Sequence, residues 1–99
     1  MTVYYFAIAS EKFLLQEEPI EEILRERMNH YSNHYKKIDF WLVKNPDFLR
    51  LPEMSKVRSR LDTTTASVIS TNPLFISWLK LRIGFVITGH FTNSQIEFL

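Results

Sequence analysis

STNPLFISWLKLRIGFV, residues 70–86, decides how this 99-residue chain is read. Ser70, Thr71 and Asn72 are good N-cap types, and Pro73 suits a first helical position because its missing N–H would be unpaired there anyway. Gly84 offers the stop. Between them lie Leu74, Phe75, Ile76, Trp78, Leu79, Leu81 and Ile83. This spacing predicts a helix over 73–81, buried on most of its circumference. Lys80, one turn from Ser77 and from Gly84, belongs to a narrow polar strip. Arg82 does not. It follows Phe75 by two turns, about 20° away around a helix of 3.6 residues per turn, with Trp78 at i−4 and Leu79 at i−3. A guanidinium there snorkels out toward the helix C-terminus, meets a buried acid, or is offered to a partner; snorkelling is the ordinary outcome. Alternation from Leu79 to Thr88 leaves a second geometry open, with the helix stopping near Leu79 and Arg82 on a strand face with Lys80.

On either side of this helix, Ala66–Ser70 and Phe85–Phe91 read as strands. Val3–Ala9 (VYYFAIA) is apolar on both alternating faces, as in an inner strand covered above and below. Ser10–Gln16 is expected to be a connection with Phe13, Leu14 and Leu15 tucked in. Pro19–Tyr35 is the clearest helix: Glu17, Glu18, Glu21 and Glu22 load its start and Lys36 and Lys37 follow its end, as the macrodipole prefers. Its expected apolar stripe is Ile20, Ile23, Leu24, Met28, Tyr31 and Tyr35. Ile38–Val43 (IDFWLV) reads as a strand in which Asp39 is the anomaly. Asn45-Pro46 turns a loop. Pro52–Leu61 reads as a short helix with Met54, Val57 and Leu61 inward and a basic outer face, and Thr63–Thr65 as a turn.

The order is strand, helix, strand, helix, strand, helix, strand. Alternation favours layered α/β packing with parallel pairs available, while so short a chain leaves an antiparallel or mixed sheet as the competitor. One α/β domain over residues 1–99 is expected, with 92–99 as a loose tail. Apolar content is 45% and charged content 23%, a globular composition. A formal net charge of +1 makes no case for nucleic acid. With no cysteine there is no disulfide framework, thiolate metal site or thiol nucleophile. The apolar runs are too short to span a membrane, and residues 1–10 lack a signal peptide's basic start. The chain is therefore expected to act where it is made, or in an organelle that makes it.

Chemistry-bearing patterns are sparse. His30 and His34, spaced i, i+4, are the one metal-like pair, but the zinc-protease glutamate and a third ligand are lacking. There is no glycine-rich phosphate loop, no Glu-x-x-His and no assembled triad. Asp39, Phe40 and Trp41 in a strand, and Trp78 with Arg82 in a helix, are rich in the types that dominate interface hot spots, although core is the ordinary place for Phe40 and Trp41. Asp39 is hard to bury unless a basic residue meets it, and Arg82 is one candidate.

VYYFAIASEKFLLQEEPIEEIL, IDFWLVKNPDFL and STNPLFISWLKLRIGFV together resemble the small accessory protein family of the magnesium-protoporphyrin IX monomethyl ester oxidative cyclase, found in cyanobacteria, algal plastids and plants. The resemblance runs from Val3 to about Phe91. It implies an α+β fold, a single four-stranded, mainly antiparallel sheet packed with three or more helices. It also implies a non-catalytic role at the closure of the isocyclic ring of chlorophyll, through association with the di-iron catalytic subunit. No cofactor, metal or nucleic acid is expected, and membrane association only through the partner. The expected compartment is the cyanobacterial cytoplasm or the plastid stroma, peripheral to thylakoids at most. Asp39, Phe40 and Arg82 match the family's motif positions and are the implied partner contacts; Trp78 joins them by its residue type. Arg82→Ala and Asp39→Ala are both expected to weaken capture with little change in thermal midpoint. The alternative is a small module that holds a tetrapyrrole directly, between apolar walls and an arginine for a carboxylate. A generic ligand-sensing domain is the third.

Overall fold

β1 (Thr2–Ser10) lies inside a four-stranded sheet ordered β2-β3-β1-β4, with β2 at Phe40–Lys44, β3 at Thr65–Ser70 and β4 at Ile87–Asn93. The structure is a computed structural model that describes residues 2–61 and 63–93. Every pairing between neighbouring strands is antiparallel. The α-helices are α1 (Ile20–Asn33), α2 (Ser55–Ser59) and α3 (Pro73–Ile83).

The strand–helix alternation and the antiparallel sheet are compatible because the crossovers are split. β1 and β2 run the same way with β3 inserted between them, and β3 and β4 run the same way around β1. Two interlocked split β-α-β units of this kind make the β-α-β-β-α-β ferredoxin-like arrangement. The connection from β2 to β3 is a long arm of 3₁₀ turns at Asp47–Arg50 and Pro52–Met54, followed by α2.

Strand alternation assigns the faces. Ala7, Ala9, Ala66, Val68 and Phe40 pack with Leu24, Tyr31, Phe75 and Leu79 of α1 and α3. Phe6, Ile8 and Ile69 pack with Phe48 and Met54 of the arm and with Phe91. The rings of Phe48 and Phe91 stack at 4.5 Å, and Phe6 leans on Phe48 at 4.8 Å. β1 is thus the expected inner strand, covered on both faces.

Several elements differ from expectation. Residues 10–16 are not a simple connection: Phe13–Glu17 makes a π-helical turn closed by the Glu18 N–H on the Phe13 carbonyl at 2.8 Å, with Leu14 fully buried. A run of three apolar residues carries no period from which such a turn is read. The segment 52–61 splits into a 3₁₀ turn and the five-residue α2. β3 starts at Thr65, inside the expected turn, and β4 runs on to Asn93. Residues 94–99 of the expected loose tail lie outside the described residues. Met28, inside α1, is about half exposed, at the edge of the buried stripe; Tyr35 is almost fully exposed because α1 ends at Asn33 and Tyr35 takes a positive φ of 54° beyond it.

α3 begins as the sequence indicates, with the Asn72 side chain accepting from the Leu74 N–H at 3.0 Å and Pro73 in the first turn. It runs past Leu81 to Ile83, so the ending near Leu79 does not occur. Its buried face is Phe75, Ile76, Leu79 and Ile83. Leu74 (76% exposed) and Leu81 (89% exposed) face away from the core, so the helix is covered on one side and not on most of its circumference. Gly84 ends it at φ 79° and ψ −83°. The Phe85 N–H reaches back to the Ile83 carbonyl at 3.0 Å and the Val86 N–H to the Gly84 carbonyl at 2.8 Å, two γ-turns in succession. A γ-turn centred on a positive φ is rare and strained for residues with a Cβ, which explains the glycine.

Candidate functional site

Three elements converge where α1 ends and α3 begins. Asp39 immediately precedes β2 and ties them together. Its backbone carbonyl accepts from the Ser70 hydroxyl at 2.9 Å and the Thr71 N–H at 3.2 Å. Ser70 in turn accepts from the Asn72 N–H at 2.9 Å. The Asp39 carboxylate accepts from the Tyr31 hydroxyl at 3.0 Å. The anomalous strand aspartate is therefore a half-buried end group whose charge is met by a tyrosine of α1. No ion pair joins it to Arg82 among the described residues.

Phe40 is 3% exposed, stacked on Phe75 at 4.5 Å and edge-on to Tyr31 at 5.3 Å. It occupies the ordinary core place and can act on a surface only as support from behind. Phase along α3 then carries the cluster outward. Trp78 is half-buried, 5.7 Å from the Phe75 ring, and the Arg27 guanidinium lies 4.5 Å from its ring centroid. Arg82 is exposed, one turn beyond Trp78, as the snorkelling outcome has it. Lys80 donates its ammonium to the Val86 carbonyl at 3.1 Å. Asp39, Phe40 and Trp78 thus belong to one chain of contacts, and Arg82 adjoins it on the same helix.

Arg27 is the residue the sequence reading left out. Position 27 continues the spacing of Ile20, Ile23, Leu24 and Tyr31, where an interior position with a charge is the same signal that singled out Arg82. Its Nε is buried with no hydrogen-bond partner among the described residues. Lys36 covers the Tyr31 ring as well, at 4.5 Å.

Burial first, then the Asp39 hydrogen bond and charge, push the Tyr31 hydroxyl above its ordinary value of 10.0, with Arg27 opposing. A raised folded-state value means that the stability Tyr31 contributes is fully present below pH 10.0 and is lost as pH rises through the folded value. The stability difference between the native chain and Tyr31→Phe is expected to be constant up to pH 10 and to shrink above it, in urea melts taken from neutral to alkaline pH. A difference that grows there would contradict the assignment.

His30 and His34 sit at 4.3 Å between ring centroids, and His34 Nδ1 bonds to the His30 carbonyl at 2.8 Å. Desolvation and then the neighbouring His34, Arg27 and Lys36 charges hold the His30 imidazole below its ordinary value. No group of three or more His, Cys, Asp or Glu is placed to hold a metal ion among the described residues. None of their helices is long and apolar enough to cross a membrane.

Comparison with known proteins places this geometry in a family. The family model for the Ycf54 protein matches residues 2–93. The uncharacterized protein ycf54 of Porphyra purpurea is 54% identical over 94 residues, covering 95% of this chain and 87% of that one. The chloroplastic protein YCF54 of Arabidopsis thaliana is 34% identical over 97 residues, covering 97% of this chain but 45% of its own length. The solved structure of the Ycf54 protein from Synechocystis superposes with a TM-score of 0.87 at 45% identity, over 96% of this chain and 90% of that one. Relatives thus come from both cyanobacteria and plastids, and the chain belongs to the Ycf54 protein family.

Proposed function

We propose that the protein is a non-catalytic accessory or assembly factor of the magnesium-protoporphyrin IX monomethyl ester oxidative cyclase. It binds the di-iron catalytic subunit and so supports isocyclic ring formation, in the cyanobacterial cytoplasm or the plastid stroma. The identity of the enzyme follows from the sequence resemblance. The observation that carries the binding role is the outer face of α3. There Leu74 and Leu81 are left largely uncovered beside Trp78 and Arg82, and the Trp78 end is continuous with Asp39. Aromatic and arginine side chains at the centre of an interface carry most of its energy, and an exposed apolar face on a small domain calls for a partner.

Arg82→Ala is expected to weaken capture of the purified catalytic subunit by about 2 kcal/mol or more, roughly 30-fold. Its thermal midpoint should hold, since an exposed side chain contributes within about 0.5 kcal/mol. Asp39→Ala is a less clean probe than the sequence indicates, because it strips the buried Tyr31 hydroxyl of its acceptor. Asp39→Asn removes the charge and keeps an acceptor, and is expected to weaken capture without loss of stability. Capture unchanged by both Arg82→Ala and Asp39→Asn would end the assignment of this surface.

A further inference from the structure

We infer that a second region, the hollow at the far end of α3, binds an amphipathic organic anion, an apolar body carrying a carboxylate. The hollow is open to the surface and has a volume of about 450 Å³ between the end of β1, the Phe13 turn, the exit of α2 and the α3–β4 corner. That volume is in the range of small-molecule sites, about 300–1,000 Å³. It lies away from Asp39, and nothing in it depends on the accessory role.

Three observations meet there. The first is charge. Arg60 enters from the arm side of the sheet and Lys80 from the α3 side, and none of the described lining residues is acidic. Lys80 spends one ammonium donor on the Val86 carbonyl at 3.1 Å and has two more to offer; Arg60 brings a guanidinium fork. The second is the wall. Phe13 and Phe85 meet edge-on at 6.5 Å and 84°, with Val86 and Ile87 beside them. The third is the backbone. Past the Gly84 γ-turn, Phe85 stands 88% exposed at the rim. An exposed ring beside two cations matches a ligand with one apolar and one anionic end. A neutral apolar ligand would leave the cations unused, and an inorganic anion would leave the rings uncovered.

The test uses 1-pyrenebutyrate as probe and 1-pyrenebutanol as its neutral counterpart, by fluorescence titration of the full chain, with amide chemical shifts to locate binding. The carboxylate probe is expected to bind at least about tenfold more tightly than the alcohol, with shifts centred on Ser10, Gly84 and Phe85. Arg60→Gln with Lys80→Gln should weaken the carboxylate probe by about tenfold and leave the alcohol unchanged, and Phe85→Ser should weaken both. Arg60 is exposed and Lys80→Gln keeps a donor for the Val86 carbonyl, so melts are expected to stay close to those of the native chain. Should the double variant prove unfolded, suppression of carboxylate binding by salt, with the alcohol unaffected, gives the same discrimination on the native protein. No binding up to about 1 mM, equal affinity for the two probes, or shifts centred on the Trp78 face would each overturn the proposal.

Discussion

Phe40→Ala should lose about 3–5 kcal/mol of folding stability, the usual cost of removing a buried phenylalanine. The ring is buried between Tyr31 and Phe75, so truncation leaves a cavity at the junction of α1, β2 and α3 that stiff neighbours cannot close. For a chain of this length the thermal midpoint should drop by something on the order of 20 °C. Circular-dichroism melts measure it directly. A loss below about 1 kcal/mol would mean that the ring is not the buried contact described. The size of the effect changes how a binding experiment at this position is read. An Ala variant that fails in a capture experiment is reporting on the fold, whereas Phe40→Leu keeps most of the volume and reports on the support that the ring gives from behind.

Gly89→Ala is expected to destabilise by about 1–3 kcal/mol, an overpacking effect. Gly89 faces Phe6 across β1 and β4, and a Cβ there would come within 2.7 Å of Phe6 Cζ. A flexible side chain would give way, but Phe6 is fully buried and leans on Phe48, so its ring has nowhere to swing. An aromatic ring laid over a strand glycine is a recognised way of filling the gap that glycine leaves. Phe6→Leu alone also destabilises, but combined with Gly89→Ala the loss should be smaller than the sum, because the shorter side chain vacates the site the methyl takes. A double-mutant cycle by urea melts reads that coupling. Strict additivity would show that the two residues do not compete for space.

The α3 entry was legible in the sequence because capping is local: Asn72 and Pro73 act on atoms within one turn. β1 was legible because apolar residues on both faces have one ordinary explanation, burial on both sides. The sheet order was not. Alternation of strands and helices is the same string for adjacent parallel strands and for split pairs, and only the insertion of β3 and β1 between their partners separates the two. Helix phase puts Arg82 near Phe75, but phase alone does not say how wide the buried face is. Asp39 was read as in need of a cation, yet a tyrosine eight residues earlier met it, a pairing that depends on where α1 stops. That stop carries no glycine or proline, which is also why Tyr35 was assigned to the stripe.

β1 is a party wall. Tyr5, Ala7 and Ala9 look into one room, and Tyr4, Phe6 and Ile8 into the other. Along most of its length the β1 backbone separates the two rooms, so substitutions deep in opposite rooms should act nearly independently. A lineage can then refurnish the arm side, exchanging its phenylalanines or resizing the arm, without retuning the entry to β2 at Asp39 or the helix that carries Trp78 and Arg82. The arm side and the helix side are separately editable halves of one short chain, joined at the hollow that Arg60 and Lys80 both line.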